Sequence, residues 1–190
     1  MKVEIIGESG FLEALFGLGL SYGITSGMTF DTFKDSRNII DKVREASLKL
    51  YTKEGGHNKF LESIQMWLDV TAPRYIWAEI DTYRVGCSKQ SESTIHTLTK
   101  SPFVQGMFCR PVPAEVLGSL EELRIKGDFV GLKNILPEGF LQRRIWNLNY
   151  KVLRNILSQR KRHRLSEWQY FCDYIYTYCK YPIYISDIML

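Results

Sequence analysis

From Ser63 to Val70 the chain reads Ser-Ile-Gln-Met-Trp-Leu-Asp-Val. Ile64, Met66, Leu68 and Val70 alternate with Ser63, Gln65, Trp67 and Asp69. A period of two puts the aliphatic side chains on one face of a half-buried strand. Thr71-Ala72-Pro73 follows at once, and proline is tolerated in the first turn of a helix. A helix is therefore expected from Tyr75 to Arg84. A strand that runs straight into a helix sets the class as mixed α and β.

The rest of the chain adds mostly helix. Met1 to Ile6 is rich in β-formers and reads as a strand. Gly10 to Leu20 reads as a helix with a glycine-rich end. Asp35 or Ser36 can cap a helix through Ile40, Val43, Leu48 and Leu50, stopped at Gly55-Gly56. Gly86 opens a polar stretch from Ser88 to Thr94. Pro113 to Ile125 reads as a short helix. Ile145, Leu148, Val152, Ile156 and Leu157 share one face of a long helix expected from Leu141 to Arg160. Ser166 caps another that runs to Tyr178. One domain, 1–190, is expected.

Charged residues make up 24% and apolar ones 45%, which excludes a disordered, collagenous or disulfide-scaffold chain. The net charge of +4 excludes a histone-like binder but suits anionic ligands. Aromatics reach 13%, a surplus that can fill a core, stack on planar rings or bury an interface. Cys87, Cys109, Cys172 and Cys179 form no Cys-x-x-Cys pair, and His57, His96 and His163 lie far apart. Free thiols and no metal site are expected. Residues 14–30 carry no charge but hold too much Gly, Ser and Thr for a spanning helix, so no membrane segment is expected and the chain reads as cytosolic. Gly17-Leu18-Gly19-Leu20-Ser21-Tyr22-Gly23 mimics a dinucleotide loop, yet Tyr22 stands where Gly is required.

Three stretches could meet a ligand. The hydroxyls between Arg84 and His96 can bind phosphate oxygens, or form a solvated loop. The run Arg160-Lys161-Arg162-His163-Arg164 can contact phosphate, or complement a helix C-terminus. Asn149 and Asn155, near Trp146, are polar groups on an otherwise apolar segment and need partners. No Ser-His-Asp order, carboxylate pair or phosphate loop stands out.

Taken in order, these segments resemble the flavin-dependent thymidylate synthase family from Val3 to Tyr178. That family's signature is Arg-His-Arg, two spacers, then Ser-x-Asn-Glu-x-Ser-x-Arg. Here Ala72-Pro73 leads to Glu79, where the family has Gln, and to Thr82-Tyr83-Arg84. Arg84 keeps the third residue of the triplet. After one extra residue, Ser88 and Ser93 keep the two serines, while Gln90, Ser91 and Ile95 replace Asn, Glu and Arg. Gly19 to Gly23 resembles Arg-Val-Ser-Tyr-Gly, with Gly19 in place of Arg. Gly56-His57-Asn58-Lys59-Phe60-Leu61-Glu62 resembles Gly-His-x-Ser/Thr-Pro-Phe-Glu. Lys133 stands at an Arg position, and Asn149, Lys151 and Asn155 stand at Asn, Arg and Asn. Arg162-His163-Arg164 spells the triplet literally, but Ser166 comes one residue too early.

The resemblance implies an α+β fold, helix-rich with a central, mainly antiparallel sheet. It implies methylation of dUMP or a related pyrimidine nucleotide, with methylenetetrahydrofolate, NADPH and reduced FAD and no enzyme nucleophile. Arg160 and Ser93 would be catalytic. Glu79, Ser88, Ser91, Ser93, Lys133 and Arg160 would bind substrate. Ser21, His57, Glu62, Tyr83, Arg84, Asn149, Lys151 and Asn155 would bind FAD. A homotetramer with sites at subunit interfaces is implied, without nucleic acid. Lys lacks the bidentate fork of Arg, so the departures point to altered substrate binding. The alternatives are another one-carbon modification of a pyrimidine nucleotide, or a non-catalytic nucleotide- or nucleic-acid-binding protein of the same fold.

Overall fold

The computed structural model describes residues 1–186, with Ile95 described by its backbone alone. Residues 187–190 of the expected domain, and the Ile95 side chain at the last signature position, lie outside the described residues. Four strands, β1 (Lys2–Ser9), β2 (Gln65–Pro73), β3 (Cys87–Ser91) and β4 (Leu141–Asn149), form an antiparallel sheet in the order β1-β2-β4-β3. The helices are α1 (Phe11–Ser21), α2 (Phe30–Lys34), α3 (Arg37–Leu48), α4 (Arg74–Ile80) and α5 (Thr94–Thr97). They continue with α6 (Ala114–Lys126), α7 (Phe129–Ile135), α8 (Tyr150–Arg160) and α9 (Ser166–Tyr178). The α+β, helix-rich expectation holds.

The alternating run is strand β2. Ile64, Met66, Leu68, Val70 and Ala72 are fully buried, while Trp67 keeps 41% of its surface exposed. Ile64, Met66, Leu68 and Val70 each contribute about 1.5–3 kcal/mol relative to exposure. Pro73 ends the strand and stands at the N-cap of α4.

Three expectations need correction. The helix expected from Tyr75 to Arg84 ends at Ile80 as α4, so Tyr83 and Arg84 lie beyond it. The long helix from Leu141 to Arg160 is a strand followed by a helix, β4 and α8. Trp146, Leu148 and Tyr150 are all fully buried, a period-two pattern that the helical spacing of Ile145, Leu148 and Val152 concealed. Asn149 makes the break, because its side-chain oxygen accepts from the Val152 amide at 2.9 Å and caps α8. The polar stretch after Gly86 is also not all loop. Cys87 to Ser91 pairs as edge strand β3, which residues of low β-propensity do not advertise. Gly86 turns the chain into it at φ 68°.

The described residues gather into two compact units, each discontinuous in sequence. The first comprises Met1–Glu4, Asp69–Arg84 and Lys89–Trp146. The second comprises Ile5–Leu68, Val85–Ser88 and the chain from Asn147 onward.

In the first unit, α6 and α7 close a core of Leu98, Phe103, Phe108, Leu120, Leu132 and Leu136. Its polar side centres on Asp81, which receives Arg144 at 3.0 Å and Lys89 at 3.6 Å. Arg144 lies 4.4 Å over the Trp77 ring, and the Trp77 indole N–H donates to the Gln142 carbonyl at 2.8 Å. Arg143 grips Asp69 through both carboxylate oxygens. Those hydrogen bonds hold the Asp69 carboxyl below the usual carboxylate range. A depressed folded-state pKa adds stability above the ordinary Asp value, and that stability is lost as pH falls through the folded value. Asp69→Asn is expected to cost under about 1 kcal/mol at pH 7 and to flatten the stability loss below about pH 4. Urea midpoints at pH 7 and pH 3 test this, and an unchanged pH slope would contradict it.

In the second unit, aromatic rings carry the core. Phe11 stacks on Tyr181 at 3.8 Å, and Tyr184 meets Tyr51 and Phe60 edge-on. The Tyr184 hydroxyl shares a buried 2.6 Å hydrogen bond with Ser47. Tyr150 donates its hydroxyl to Glu8, whose carboxylate also accepts from the Lys180 amide at 3.0 Å. Burial pushes the Cys172 and Cys179 thiols up to about 12. Neither is a thiolate near neutrality. Alkylation at pH 8 is therefore expected to reach only the half-buried Cys87 and Cys109 until denaturant is added. Mass spectrometry of the labelled protein reads the outcome.

Candidate functional site

The second unit holds two cavities that share Glu62. The larger, about 760 Å³, is bounded by the last turns of α1 and by the segment from Gly56 to Ser63. Ser21, His57 and Glu62 stand in its wall with Tyr22 and Lys59. The smaller, about 470 Å³, lies along the first turns of α8. Asn149, Lys151 and Asn155 line it, together with Glu62, Asn58, Gly86 and Arg154. Six of the residues that the resemblance marked for FAD thus converge within one unit.

Local structure explains the convergence. Lys151 and Asn155 are one helical turn apart on α8, so both face the same side. Lys151 reaches Glu62 at 2.6 Å, a pairing of two marked residues at the boundary of both cavities. Asn149 is fixed by its capping bond, and its backbone amide donates to the Gly86 carbonyl at 3.1 Å. The fit at Gly86 is tight, because a Cβ there would lie 2.6 Å from the Asn149 Nδ2 and 2.9 Å from Val152. The Gly19 departure has a packing cause. A Cβ at Gly19 would lie 2.5 Å from the methyl of fully buried Thr25, whose hydroxyl donates to the Phe16 carbonyl. The family's Arg cannot be seated there without moving Thr25. The glycine-rich stretch that mimics a dinucleotide loop is the end of α1.

No motif residue marks Asn58 or Gly86. Gly86 signalled itself only as a helix breaker, and Asn58 occupied a spacer position. Asn58 is 2% exposed, its Nδ2 donates to the Tyr51 carbonyl at 3.5 Å, and its Oδ1 has no hydrogen-bond partner.

The other marked residues of the second unit lie apart from these walls. Ser88 is exposed on β3. Arg160 ends α8 with its guanidinium 4.8 Å over the fully buried Trp168 ring. The literal triplet Arg162-His163-Arg164 forms the turn between α8 and α9. His163 Nδ1 accepts from the Leu165 amide there, and its carbonyl accepts from Gln169 at 2.7 Å.

In the first unit, the Lys133 amine on α7 donates to the Thr94 hydroxyl at the start of α5, beside Ser93 at its N-cap. Lys133 and Ser93 are therefore neighbours although 40 positions separate them in sequence. Ser91 is exposed at the end of β3, Arg84 is exposed, and Tyr83 is half-buried with its carbonyl accepting from Lys89 at 2.8 Å. Glu79 is half-buried on α4, and its carbonyl accepts from the Thr82 hydroxyl at 2.7 Å. Among the described residues no His, Cys, Asp and Glu cluster could hold a metal ion, and no helix is long and apolar enough to cross a membrane.

This sheet order with its surrounding helices is the fold of the flavin-dependent thymidylate synthases. The similar solved structures include the flavin-dependent thymidylate synthase ThyX from Helicobacter pylori complexed with FAD and dUMP, at TM-score 0.73 and 18% identity over 100% of both chains. A second ThyX structure from that organism, with FAD and dUMP, matches at TM-score 0.71 and 17% identity over 100% of this chain and 99% of that one. The UMP/dUMP methylase PolB from Streptomyces cacaoi, bound with 5-Br dUMP, matches at 0.67 and 15%, over 93% of this chain and 88% of its own. No protein-family model matches the chain, and no curated protein matches it by sequence.

Proposed function

We propose that the chain is a flavin-dependent enzyme that methylates a pyrimidine deoxynucleotide, dUMP or a close relative, with methylenetetrahydrofolate as carbon donor and NADPH as reductant. The observation that carries this reading is the convergence of Ser21, His57, Glu62, Asn149, Lys151 and Asn155 on two cavities sharing one wall. The residues suit FAD. Amides and a cation can meet its polar ring edges and phosphates, and buried Asn58 Oδ1 lacks a hydrogen-bond partner. When bound, reduced flavin would supply the hydride that turns a methylene on the pyrimidine ring into a methyl group.

The chain's own part is to bind, orient and stabilise charge. Asn149, Lys151 and Asn155 would hold the flavin, Ser21 and His57 would line its approach, and Glu62 would fix Lys151. Tyr83 and Arg84 are assigned to the cofactor by the resemblance alone. Lys133, Ser88 and Ser93 would meet the 5′-phosphate, Ser91 would bind substrate, and Glu79 would face the base. Arg160 would stabilise negative charge developing on the pyrimidine. A homotetramer belongs to the same reading.

Purified protein is expected to be yellow, or to take up FAD with quenching of its fluorescence. It is expected to form dTMP from dUMP, methylenetetrahydrofolate and NADPH. A colourless protein that FAD does not reconstitute would remove the reading. Lys151→Ala is expected to weaken FAD binding roughly ten- to hundredfold, the worth of one charge-assisted contact. Fluorescence titration measures it.

A further inference from the structure

The bend between Ser91 and Ser93 is held by a side chain from β4. Glu92 lies in that bend, past the end of β3 and before α5. Its backbone amide donates to the Arg143 carbonyl at 3.0 Å, as a strand residue would. Its carbonyl accepts instead from a side chain, Nε2 of Gln142, at 3.1 Å. The orientation of that side-chain amide is fixed. Gln142 Oε1 accepts from the Arg144 guanidinium at 2.9 Å, and a guanidinium offers donors only, so Nε2 is the end that meets Glu92. Arg144 is fixed in turn. It meets both oxygens of Asp81, the C-cap residue of α4, and lies over the Trp77 ring of the same helix. The Trp77 indole, donating to the Gln142 carbonyl, ties Gln142 to α4 a second time. Asp81 also receives Lys89, whose amine donates to the Tyr83 carbonyl. Both halves of the altered signature, Tyr83 and the bend at Glu92, thus hang on one network within the first unit. Ser93 takes no part in it and leaves its hydroxyl out of the cap of α5.

We infer that Gln142 is a positioning residue for the substrate, fixing through the Glu92 carbonyl the bend that presents Ser91 and Ser93. The inference rests on the reading of those serines as nucleotide-binding residues. In this role Gln142 touches no reacting atom. It sets how much of the time the bend stands ready, and a site that is ready for only a fraction of the time binds more weakly by that fraction. KM for the nucleotide is therefore the quantity it moves.

Gln142→Glu separates positioning from packing. The new carboxylate keeps an acceptor on Arg144 and sets a second acceptor against the Glu92 carbonyl, where no proton is left to donate. Melting temperature is expected to stay within a few degrees of wild type, because the Arg144 contact becomes charge-assisted on both sides. KM for dUMP is expected to rise roughly five- to tenfold, the worth of one hydrogen bond. FAD affinity is expected to hold, since Asn149, Lys151 and Asn155 lie in the second unit. Exchange of the Glu92 amide, followed by NMR, is expected to quicken as the bend loosens. If the glutamate variant does not fold, Gln142→Met carries the same comparison. Unchanged KM in a folded variant, or a rise in KM matched by an equal loss of FAD affinity and a large drop in melting temperature, overturns the role of Gln142 alone. A wild-type protein that neither binds nor turns over dUMP overturns the substrate reading together with it.

Discussion

Gly86→Ala is expected to cost about 2–4 kcal/mol of stability and, on the function proposed above, to abolish flavin uptake in the smaller cavity. Three physical effects act on one methyl group. The backbone at Gly86 has φ 68°, a left-handed conformation that costs a residue with a Cβ about 1 kcal/mol or more. The new methyl would sit 2.6 Å from Asn149 Nδ2 and 2.9 Å from Val152 Cγ2, so α8 or the turn must move. Asn149 cannot yield cheaply. It caps α8 through its side chain and is tied to the Gly86 carbonyl through its amide. Losing that cap costs about 1 kcal/mol more. Urea denaturation measures the stability loss, and FAD titration of the remaining folded protein measures uptake. A variant as stable as wild type would mean that the turn relaxes freely.

Trp168→Ala is the second large effect, at about 3–5 kcal/mol. The indole is fully buried against Phe171 at 5.8 Å, and it carries the Arg160 guanidinium on its face at 4.8 Å. Trp168→Phe keeps an aromatic face and is expected to cost about half as much, since a smaller ring leaves a smaller cavity. The pair of variants separates packing from Arg160. If Arg160 acts on the pyrimidine, turnover of dUMP should fall further in the folded alanine variant than in phenylalanine, because the guanidinium loses its support. Equal turnover in both would detach Trp168 from that role. Arg160→Ala itself removes a stacking contact as well as a charge, so its effect on turnover has to be read beside its melting temperature.

What the sequence disclosed followed the strength of each local signal. The strand through Met66 and Leu68 was plain because strict alternation has one physical meaning. Trp146, Leu148 and Tyr150 alternate as well, but aliphatic residues at helical spacing overlay them, and a capping Asn149 mid-run resembles an amide on a helix. Strand β3 was hidden because its residues are polar and its stability comes from pairing with β4, a non-local fact. The second-unit cavity residues were legible through their motifs, since spacing along α8 survives folding unchanged. Asn58 was not, because an unmet acceptor exists only once burial is known. The aromatic surplus divides between core and surface, with 12 of the 25 rings buried. Trp77, Trp146, Trp168, Tyr150 and Tyr184 are buried to within 1% exposure, while Tyr178 keeps 64% of its surface in solvent.

The division of the chain bears on how such a protein can change. The first unit draws on stretches that begin at Met1 and end at Trp146, and the second on stretches that begin at Ile5 and run past Asn147. No contiguous fragment short of most of the gene encodes either one. A cut anywhere between Ile5 and Trp146 therefore divides the residues of both units between the two pieces.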